Sequence, residues 1–558
     1  MPLTKSDLTP KEIAKEELRL TKEFIGFKAD TNADLVARMY GVRSQMGSRT
    51  GYQFAGYVTL ERFYRGDQWD HDEPPGASQR TDNYCAVIVD NLSSLVFDDD
   101  PDVSCPTDDP SDQLLELKAE ARESLIMRVW RDNDSRVELD EWAKSTSQYG
   151  DGFVKGPYMK KRDGKWVICF HHVENPGSIR PIWADGRFKE MIGFIEEMRI
   201  SLPRALFLYG DAARAKGITL AAETVRSGAP QLGQSTVDTQ IPMVSISEYW
   251  TDKTKSEYVN DKILDFWNHN YGFVPLLHVK NSYVPNYPYG KSDLEDVLDP
   301  QQMHNRTMND LANFLRWIST VNFWGKNVDG MEALVAGLSR IYSLPEDGEL
   351  HTFEKPGDPY ITNTFVQQRR SAIIDIAGVS EAMLSSSQVS VASGRALAVA
   401  FQGTLRKLNP RMKRFESALQ TLNSNILRLL EIYFPETKKV IEGDYRNEVR
   451  LHSTVLRNVV DTINKLQSGV ISLDTAQKEL GIPRPKMEQK VMRKNLEDPI
   501  LGPQLARQPA LLPRLQEGQN QPGDNPTPGP GQRFASPEGA ARAQNQQASG
   551  AAPTPITE

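Results

Sequence analysis

The stretch that decides the fold lies at residues 283–317, YVPNYPYGKSDLEDVLDPQQMHNRTMNDLANFLRW. Ser292 and Glu295 have the spacing of a capping box, and acidic side chains fill the turn that follows, as is typical of a helix N-terminus. Asp299-Pro300 offers a second N-terminus or a kink, because proline is tolerated in a first helical turn. Apolar residues then recur at helical spacing, so the sequence predicts a long helix with one apolar face. The members of that face are Met308, Leu311, Leu315 and Ile318.

A turn-rich segment and a second helix follow the first. Residues 322–360 contain turn dipeptides such as Asp329-Gly330 and Lys355-Pro356, which predict a small separate lobe. Residues 362–377 return to helical spacing, and Gly378 stands where a helix would end or bend. The predicted apolar stripe of this second helix consists of Phe365, Ala372, Ile373 and Ile376.

A serine-rich segment separates the second helix from a third. SSSQVSVASG, residues 385–394, is poor in helix formers and bulky apolar side chains, so we expect a mobile loop there. Residues 395–434 predict a long helix that is broken near Asn409-Pro410. Two helices that flank a small lobe, with a loop at the other end, predict an elongated subunit whose apolar stripes are best buried against neighbouring copies. Heterologous contacts repeated by rotation close a ring.

The first part of the chain predicts further helices. Thr9-Pro10 opens a helical pattern within residues 3–46, and the polar residues 30–32 separate it from a second surface helix. Residues 82–97 and 114–150 are also predicted to be helical, the former ending in the acidic run FDDDPD.

Strand-like runs come next along the chain. They are KWVICFHHV, MIGFIEEMRI and VSISEYW, and turn dipeptides such as Asp163-Gly164 and Asn175-Pro176 punctuate this region. The predicted fold class is therefore α+β, and a length of 558 residues allows several domains.

Composition narrows the possible functions. Acidic residues outnumber basic ones, 74 against 66, for a net charge of −8, unlike a protein that grips DNA through an excess of Lys and Arg. An acidic chain still suits a channel through which DNA slides, because like charges repel. Cys85, Cys105 and Cys169 match no zinc spacing, so we expect reduced thiols. We find no signal peptide and no membrane-spanning run, so we expect a protein made and kept in the cytoplasm.

The order of these segments resembles the portal, or head-to-tail connector, proteins of tailed double-stranded DNA bacteriophages. Residues 283–317 look like the family's entry into its first stem helix. Residues 373–401, IIDIAGVSEAMLSSSQVSVASGRALAVAF, are similar to its second stem helix, exit and serine-rich loop. YRGDQW at 64–69, followed by NYCAVIVDNL, is similar to a motif near portal N-termini, and a closing hairpin carries a Gly-x-Ile-Ser turn. The likeness covers residues 55–495.

The resemblance implies an elongated multi-domain portal fold of wing, helical stem, clip and crown, with long helices and a disordered C-terminal tail. The tail is also expected from its composition, which is rich in Pro, Gly and Gln. By that analogy the parts are the wing at 1–291, the first stem helix at 292–321, the clip at 322–361, the second stem helix at 362–382, the tunnel loop at 383–394, a kinked helix between wing and crown at 395–444, the crown at 445–498 and the tail at 499–558.

The resemblance also implies a structural protein that is not an enzyme. Portal proteins form dodecameric homo-oligomeric rings at a unique capsid vertex, through which double-stranded DNA is packaged and ejected. The implied partners are that DNA, the large terminase subunit, the major capsid and scaffolding proteins and a head–tail adaptor. No cofactor, metal or membrane is expected. The implied location is the portal vertex of the virion, after assembly in the bacterial host cytoplasm.

Two sets of site residues follow from the same resemblance. The tunnel loop would present polar, low-friction side chains to DNA, and the clip would dock the packaging motor and the adaptor. The predicted DNA-facing residues are Ser385, Gln388, Ser390, Ser393 and Arg395. The predicted docking residues are Lys326, Asn327 and Asp329.

Three patterns have a second interpretation. Gly290-Lys291-Ser292 resembles the end of a P-loop, but Pro285 stands where the motif needs glycine, so a capped helix is the simpler interpretation. His171-His172 lie in a predicted strand, where neighbouring side chains face opposite ways and do not share a metal. The run Asp98, Asp99, Asp100 and Asp102 either holds divalent cations for a nuclease or forms a solvated acidic turn.

Six basic residues cluster on the third helix, where they meet either phosphates or acidic side chains of a neighbouring subunit. We favour pairing between subunits, with Arg395 alone as a DNA-facing residue. The cluster consists of Arg395, Arg406, Lys407, Arg411, Lys413 and Arg414. Two rival functions stay open at this point: a metal-dependent nuclease of the phage head, and a head scaffold or adaptor that is not a portal.

Overall fold

The computed structural model describes most of the chain up to residue 451. The described ranges are 9–40, 56–69, 80–109, 112–220, 223–226, 240–285, 287–319, 323–327, 347–352, 359–381 and 394–451, together with a few short pieces between 465 and 493. Residues 1–488 form one compact unit, and residues 489–558, which lie almost wholly outside the described ranges, form another.

Helices and strands both contribute extensively, so the predicted α+β class is confirmed at that level. The helices are α1 (Pro10–Tyr40), α2 (Tyr57–Arg65), α3 (Tyr84–Ser94), α4 (Gln113–Asp132), α5 (Ser135–Tyr149), α6 (Leu202–Ala215), α7 (Leu298–Ser319), α8 (Pro359–Ala377), α9 (Gly394–Tyr433) and α10 (Lys438–Ile441). The strands are β1 (Asp102–Ser104), β2 (Asp151–Arg162), β3 (Lys165–His172), β4 (Ile179–Trp183), β5 (Met191–Ser201), β6 (Glu223–Arg226), β7 (Gln240–Thr251), β8 (Thr254–Val259), β9 (Lys262–Asn268), β10 (Leu276–Lys280), β11 (Phe323–Lys326), β12 (Glu349–Thr352) and β13 (Glu448–Arg450).

Four antiparallel sheets organise the described strands. The largest runs in the order β4-β5-β7-β8-β9, with β6 paired to β7, and a three-stranded sheet has the order β10-β2-β3. Two-stranded pairs join β1 to β13 and β11 to β12. The strands predicted from the runs KWVICFHHV, MIGFIEEMRI and VSISEYW are β3, β5 and β7, so those three predictions are confirmed.

The main hydrophobic core lies where α3, α4 and α5 pack against the β2 sheet and α9. Trp142 of α5 meets Phe415 of α9 edge to face, with ring centroids 4.9 Å apart. The indole of Trp130 donates a hydrogen bond of 2.9 Å to Asn423, so the buried nitrogen is satisfied. A smaller core lies between α6 and strands β7 to β9, and a third is centred on Phe24 of α1, which stacks on Tyr258 at 3.9 Å.

Helix α1 begins as the sequence predicts but is not broken. Thr9 and Glu12 exchange hydrogen bonds in a capping arrangement before Pro10. The predicted break at residues 30–32 is wrong, since Thr31 lies inside the helix and donates its hydroxyl to the carbonyl of Phe27. The prediction of a surface helix is also wrong in part, because Phe24 is fully buried against the large sheet, and this packing holds the helix together across its polar stretch.

Helix α7 begins at Leu298, later than the capping-box pattern at Ser292 predicts. The Ser292 hydroxyl accepts a hydrogen bond from the backbone of Leu294, but this closes a turn that precedes the helix. Pro300 falls in the first helical turn, where no intrahelical N–H bond is needed, so Asp299-Pro300 marks the true N-terminus.

Helix α9 runs through Pro410 without interruption, so the predicted break at that residue is wrong. Proline removes one backbone hydrogen bond, but buried side chains on both sides of it hold the helix to the core. They are Leu405, Leu408, Met412 and Phe415. Helix α8, in contrast, ends at the predicted place, with Gly378 at a φ of +65°.

The buried faces of α7 and α8 differ from the predicted apolar stripes. On α8, Ile373 is buried as predicted, but Phe365, Ala372 and Ile376 are exposed. The other buried residues of α8 are Val366, Ile374 and Ala377. On α7, Leu315 is exposed and the buried residues are polar: Gln301, His304, Asn305 and Asn309.

Candidate functional site

The predicted site residues fall only partly within the described ranges. Ser385, Gln388, Ser390 and Ser393 of the tunnel loop lie outside them, as does Asp329. Arg395 lies in the first turn of α9. Lys326 ends strand β11 and Asn327 follows it, and both side chains are exposed beside the two-stranded β11–β12 pair. The roles predicted for these residues therefore stay predictions.

The structure brings together a different set of groups, where α9 meets the turn before α7 and the end of α8. Asp293, in the turn before α7, is almost wholly buried. It accepts hydrogen bonds from Arg411 and from the Ser147 hydroxyl, each at 2.6 Å, and pairs with Lys407 at 2.9 Å. Burial alone would raise the pKa of Asp293, but Arg411 and Lys407 hold that pKa well below its ordinary value. Asp293 is therefore a buried carboxylate that pairs with two cationic side chains.

Lys407 also connects this cluster to the end of α8. Its ammonium group donates a hydrogen bond of 2.8 Å to the carbonyl of Ala377, the last residue of α8. One turn earlier on α9, the hydroxyl of Thr404 accepts a hydrogen bond of 2.9 Å from the backbone of Ser380. The approach to α7 and the exit from α8 are thus both fixed to α9, and we call this cluster of Asp293, Lys407 and Arg411 the stem junction.

The stem junction corrects the interpretation of the basic cluster on α9. Lys407 and Arg411 pair with Asp293 of their own chain, and Arg414 donates to the backbone carbonyl of Asn281. For Lys407 and Arg411 the favoured pairing between subunits is therefore wrong, and for Arg414 it stays a prediction. Arg406 and Lys413 point into solvent.

A second buried network is centred on Asp151 at the start of β2. Its carboxylate accepts hydrogen bonds from the Tyr57 hydroxyl at 2.7 Å and the Gly290 backbone at 2.7 Å, and lies 2.8 Å from the ring of His278. Arg38 of α1 pairs with the same carboxylate at 3.3 Å. Burial favours the uncharged ring and so lowers the pKa of His278. This network joins α1, α2, β2 and β10 to the turn before α7.

The same network excludes the P-loop interpretation of Gly290-Lys291-Ser292. The backbone N–H of Gly290 donates to Asp151, and Lys291 pairs with Asp296. The Ser292 hydroxyl donates to the carbonyl of Gln148 at 2.6 Å. None of these groups faces a space for a phosphate.

Gly150 shows why sequence reasoning missed Asp151. The pattern Gly150-x-Gly152 is typical of an ordinary turn, but Gly150 has a φ of +86°, and a Cβ there would lie 2.6 Å from the backbone nitrogen of Ser292. The glycine lets the end of α5 approach the turn before α7 closely. An acid between two glycines at the start of a buried strand is the only signal of this site in the sequence.

Hydrogen bonds from the polar face of α7 hold this helix against the rest of its own chain. The amide of Asn305 donates at 2.6 Å to Gln68, and its carbonyl oxygen accepts from the backbone of Asp82 at 3.2 Å. Gln301 donates to the carbonyl of Asp82 at 2.6 Å, and Asn309 accepts from the backbone of Arg80. The motif YRGDQW and the residues before α3 thus hold α7 in place through hydrogen bonds. This is a structural role for a motif that the sequence analysis identified without assigning it one.

Some apolar side chains of α7 and α8 lie in solvent. Each of these side chains is nearly half exposed although both helices pack against each other and against the rest of the chain. They are Met303, Leu315, Phe365 and Ile376. Apolar groups recurring on two adjacent helices are typical of a surface that another protein surface covers.

The aspartate run has the features of a solvated acidic turn. Asp100 forms an exposed pair with Arg136 at 3.3 Å. Within the described residues, no group of three or more His, Cys, Asp or Glu side chains is placed to hold a metal ion. His172 is buried, 3.9 Å from Glu141, and His171 meets Tyr158, so the two rings face different neighbours. No described helix is both long and apolar enough to cross a membrane.

The chain is similar to a known family of proteins over part of its length. The described part of the fold combines antiparallel sheets with helices, and both the turn before α7 and the end of α8 are held to α9. Residues 228–499 match the family described as Phage portal protein, SPP1 Gp6-like. Residues 228–499 are thus similar to phage portal proteins, and the resemblance inferred from residues 283–317 and 373–401 is confirmed. No curated protein matches the chain significantly.

The matched region includes β7 to β10, α7, α8 and α9, and so contains the stem junction. The predicted likeness from residue 55 extends beyond the matched region. At the level of the family, this match supports a structural component of the phage particle.

Proposed function

We propose that this chain is a portal subunit that assembles into a dodecameric ring at one vertex of the capsid. Double-stranded DNA passes through the ring during packaging and ejection. The ring docks the large terminase subunit during packaging and a head–tail adaptor afterwards, and it contacts the major capsid and scaffolding proteins. Assembly takes place in the host cytoplasm.

One observation carries this proposal: the family match covers the two helices that leave apolar side chains in solvent. Leu315 of α7 and Ile376 of α8 lie within residues 228–499 and are nearly half exposed. A ring of identical subunits supplies each copy with a neighbour on both sides, so one heterologous contact repeated by rotation would cover these side chains. Burying apolar surface is the main favourable term in association.

The proposed division of the chain follows the family. Residues 292–321 and 362–382 are the two stem segments, which contain α7 and most of α8. The clip is residues 322–361, which include the β11–β12 pair, with Lys326, Asn327 and Asp329 as docking residues. The tunnel loop is 383–394, with Ser385, Gln388, Ser390, Ser393 and Arg395 toward the DNA. The wing is 1–291, the wing-to-crown helix 395–444, the crown 445–498 and the tail 499–558.

The stem junction supports this division in one respect. Both stem segments are fixed to α9 by Asp293, Lys407 and the carbonyl of Ala377. The backbone of Ser380, which precedes the proposed tunnel loop in the sequence, also donates a hydrogen bond to Thr404 of α9. A buried ion pair is well suited to fixing one arrangement, because any other arrangement leaves a charge without a partner.

Negative-stain electron microscopy of the purified protein, with a mass measurement in solution, tests the proposal. Hollow rings whose mass corresponds to about twelve subunits are expected, since a closed ring satisfies every copy of a heterologous contact. A monomer or dimer that persists across salt concentrations and after addition of scaffolding protein would contradict it. A metal-dependent nuclease activity that is lost on Asp99→Asn with Asp100→Asn would favour the rival function instead.

A further inference from the structure

The hairpin between β2 and β3 carries an unusual concentration of positive charge. Residues 160–166, which we call the basic hairpin, have the sequence KKRDGKW. They contain four basic side chains and one acidic side chain in a chain whose net charge is −8. Every residue of the basic hairpin is exposed.

The basic hairpin is a two-stranded ribbon that extends beyond its sheet. Strand β10 pairs with β2 only from Asp151 to Lys155, whereas β2 and β3 pair with each other as far as Arg162 and Lys165. Asp163 and Gly164 both have positive φ, +50° and +79°, which closes the ribbon with a tight two-residue turn. Among the strands that the structure describes, none lies beside the tip of this two-stranded ribbon.

Three of the cations share one face of the ribbon. Side chains alternate along a strand, so Lys160 and Arg162 of β2 face the same way, and Lys165 is the register partner of Arg162. Lys161 lies on the other face with its register partner Trp166, which is more than half exposed. Among the described residues, none of the four cations forms a salt bridge.

We propose that the basic hairpin binds the phosphate backbone of double-stranded DNA, at a site separate from the tunnel loop. Unpaired Lys and Arg side chains are the groups that most often contact phosphate oxygens and fix a protein on a duplex. The major groove, about 12 Å wide, admits a two-stranded β-ribbon. The acidic remainder of the chain does not prevent this contact, because at about 0.1 M salt charges more than about 10 Å away are largely screened.

DNA fits the basic hairpin better than a protein partner does. Lysine is depleted in the buried centre of protein interfaces, where desolvating it is unfavourable, and the cationic face of this ribbon holds two lysines and an arginine with no apolar residue at its tip. The exposed Trp166, which a protein interface would use as an anchor, lies on the opposite face. The proposal does not depend on ring formation, because each subunit carries a complete hairpin.

Binding of the full chain to a fluorescently labelled DNA duplex of about 20 base pairs, measured by anisotropy over a salt series, tests the proposal. In the variant Lys160→Gln, Arg162→Gln, Lys165→Gln, we expect binding at low salt to weaken about tenfold. The slope of log K against log salt should fall by about 2 to 3, since each phosphate contact contributes about 0.9. The matched control Arg187→Gln, Lys189→Gln, Arg204→Gln removes equal charge from exposed positions elsewhere and should keep the slope.

Trp166→Gln distinguishes DNA from a protein partner, because it keeps all four cations. The proposal predicts an unchanged salt slope and an unchanged assembled mass for this variant. Equal DNA affinity and slope in the two triple variants would overturn the proposal. So would a loss of assembled mass in the hairpin variants with DNA binding intact, which would make the hairpin a contact between subunits. Ring imaging of the unaltered chain is a separate readout, so failure of the ring and failure of the hairpin are distinguishable.

Discussion

Helices α7 and α8 bury faces of opposite character. The side of α7 that faces its own chain is polar, with Gln301, Asn305 and Asn309 hydrogen-bonded to the segment at 64–83. The buried side of α8 is apolar and includes Val366, Ile373 and Ile374. Directional hydrogen bonds fix the position of α7, whereas non-directional apolar packing holds α8. The comparison teaches that the buried face of a helix need not be its apolar face.

The largest effect is expected at the stem junction. Asp293→Asn leaves Arg411 and Lys407 without a buried counter-charge, and breaking a buried ion pair from one side costs about 3–5 kcal/mol. Urea denaturation should show this loss in the free energy of unfolding. The control Asp100→Asn removes an exposed ion pair and should change stability by less than about 0.5 kcal/mol. Equal effects of the two substitutions would contradict a structural role for the junction.

The next largest effect is expected at Gly150. Alanine there is strained by the positive φ and meets the backbone of Ser292, so Gly150→Ala should lose about 2–4 kcal/mol of stability. Gly164→Ala is the matched control, because its φ is also positive but the space around it is open, and about 1 kcal/mol is expected from strain alone. Thermal unfolding of the two variants separates strain from close packing. Similar melting temperatures would mean that the approach of Gly150 to the turn before α7 is unimportant.

A smaller effect is expected on the polar side of α7. Asn305→Ala leaves Gln68 and the backbone of Asp82 without their partners, which should lower the free energy of unfolding by about 1–3 kcal/mol. Asn313→Ala, an exposed position of the same helix, should change it by less than about 0.5 kcal/mol. Chemical denaturation checks both, and a silent Asn305→Ala would break the comparison between the buried faces of α7 and α8.

The smallest effect is a pH dependence from the buried histidines of β3. Burial lowers the pKa of His172 to about 4 from an ordinary value of 6.5, so between these pH values the unfolded chain binds a proton that the folded chain does not. Stability is therefore complete above about pH 6.5 and falls as the pH drops toward 4. His172→Gln should reduce this loss by about 1 kcal/mol or more in urea titrations at pH 7 and 5. An unchanged difference between the two pH values would contradict the assignment.

Much of the order of elements could be predicted from the sequence, because turn residues and periodicity are local signals. Gly378 ends α8 as predicted, and the Asp163-Gly164 turn closes the β2–β3 hairpin. The buried face of α7 could not be predicted, because pattern reasoning places apolar residues inside. The partners that satisfy Asn305 lie more than two hundred residues away along the chain.

The stem junction and the Asp151 network were missed for the same physical reason. Asp293 lies in a run of acids that is typical of an exposed helix start, and only the approach of Arg411 from α9 makes it a buried carboxylate. Asp151 is defined by four groups from separate elements, of which Tyr57 and His278 are two. A single sequence shows the acids but not which cations reach them.

The most direct test of the account is the assembled mass of a variant that puts charge on exposed apolar residues of α7 and α8. Leu315→Glu with Ile376→Glu should yield folded subunits that do not form rings, because burying two carboxylates between neighbours is unfavourable. Leu206→Glu, at a similarly exposed leucine of α6 outside the matched region, is the control and should assemble as the unaltered chain does. Rings of full mass from the double variant would contradict the claim that Leu315 and Ile376 lie in the contact between subunits.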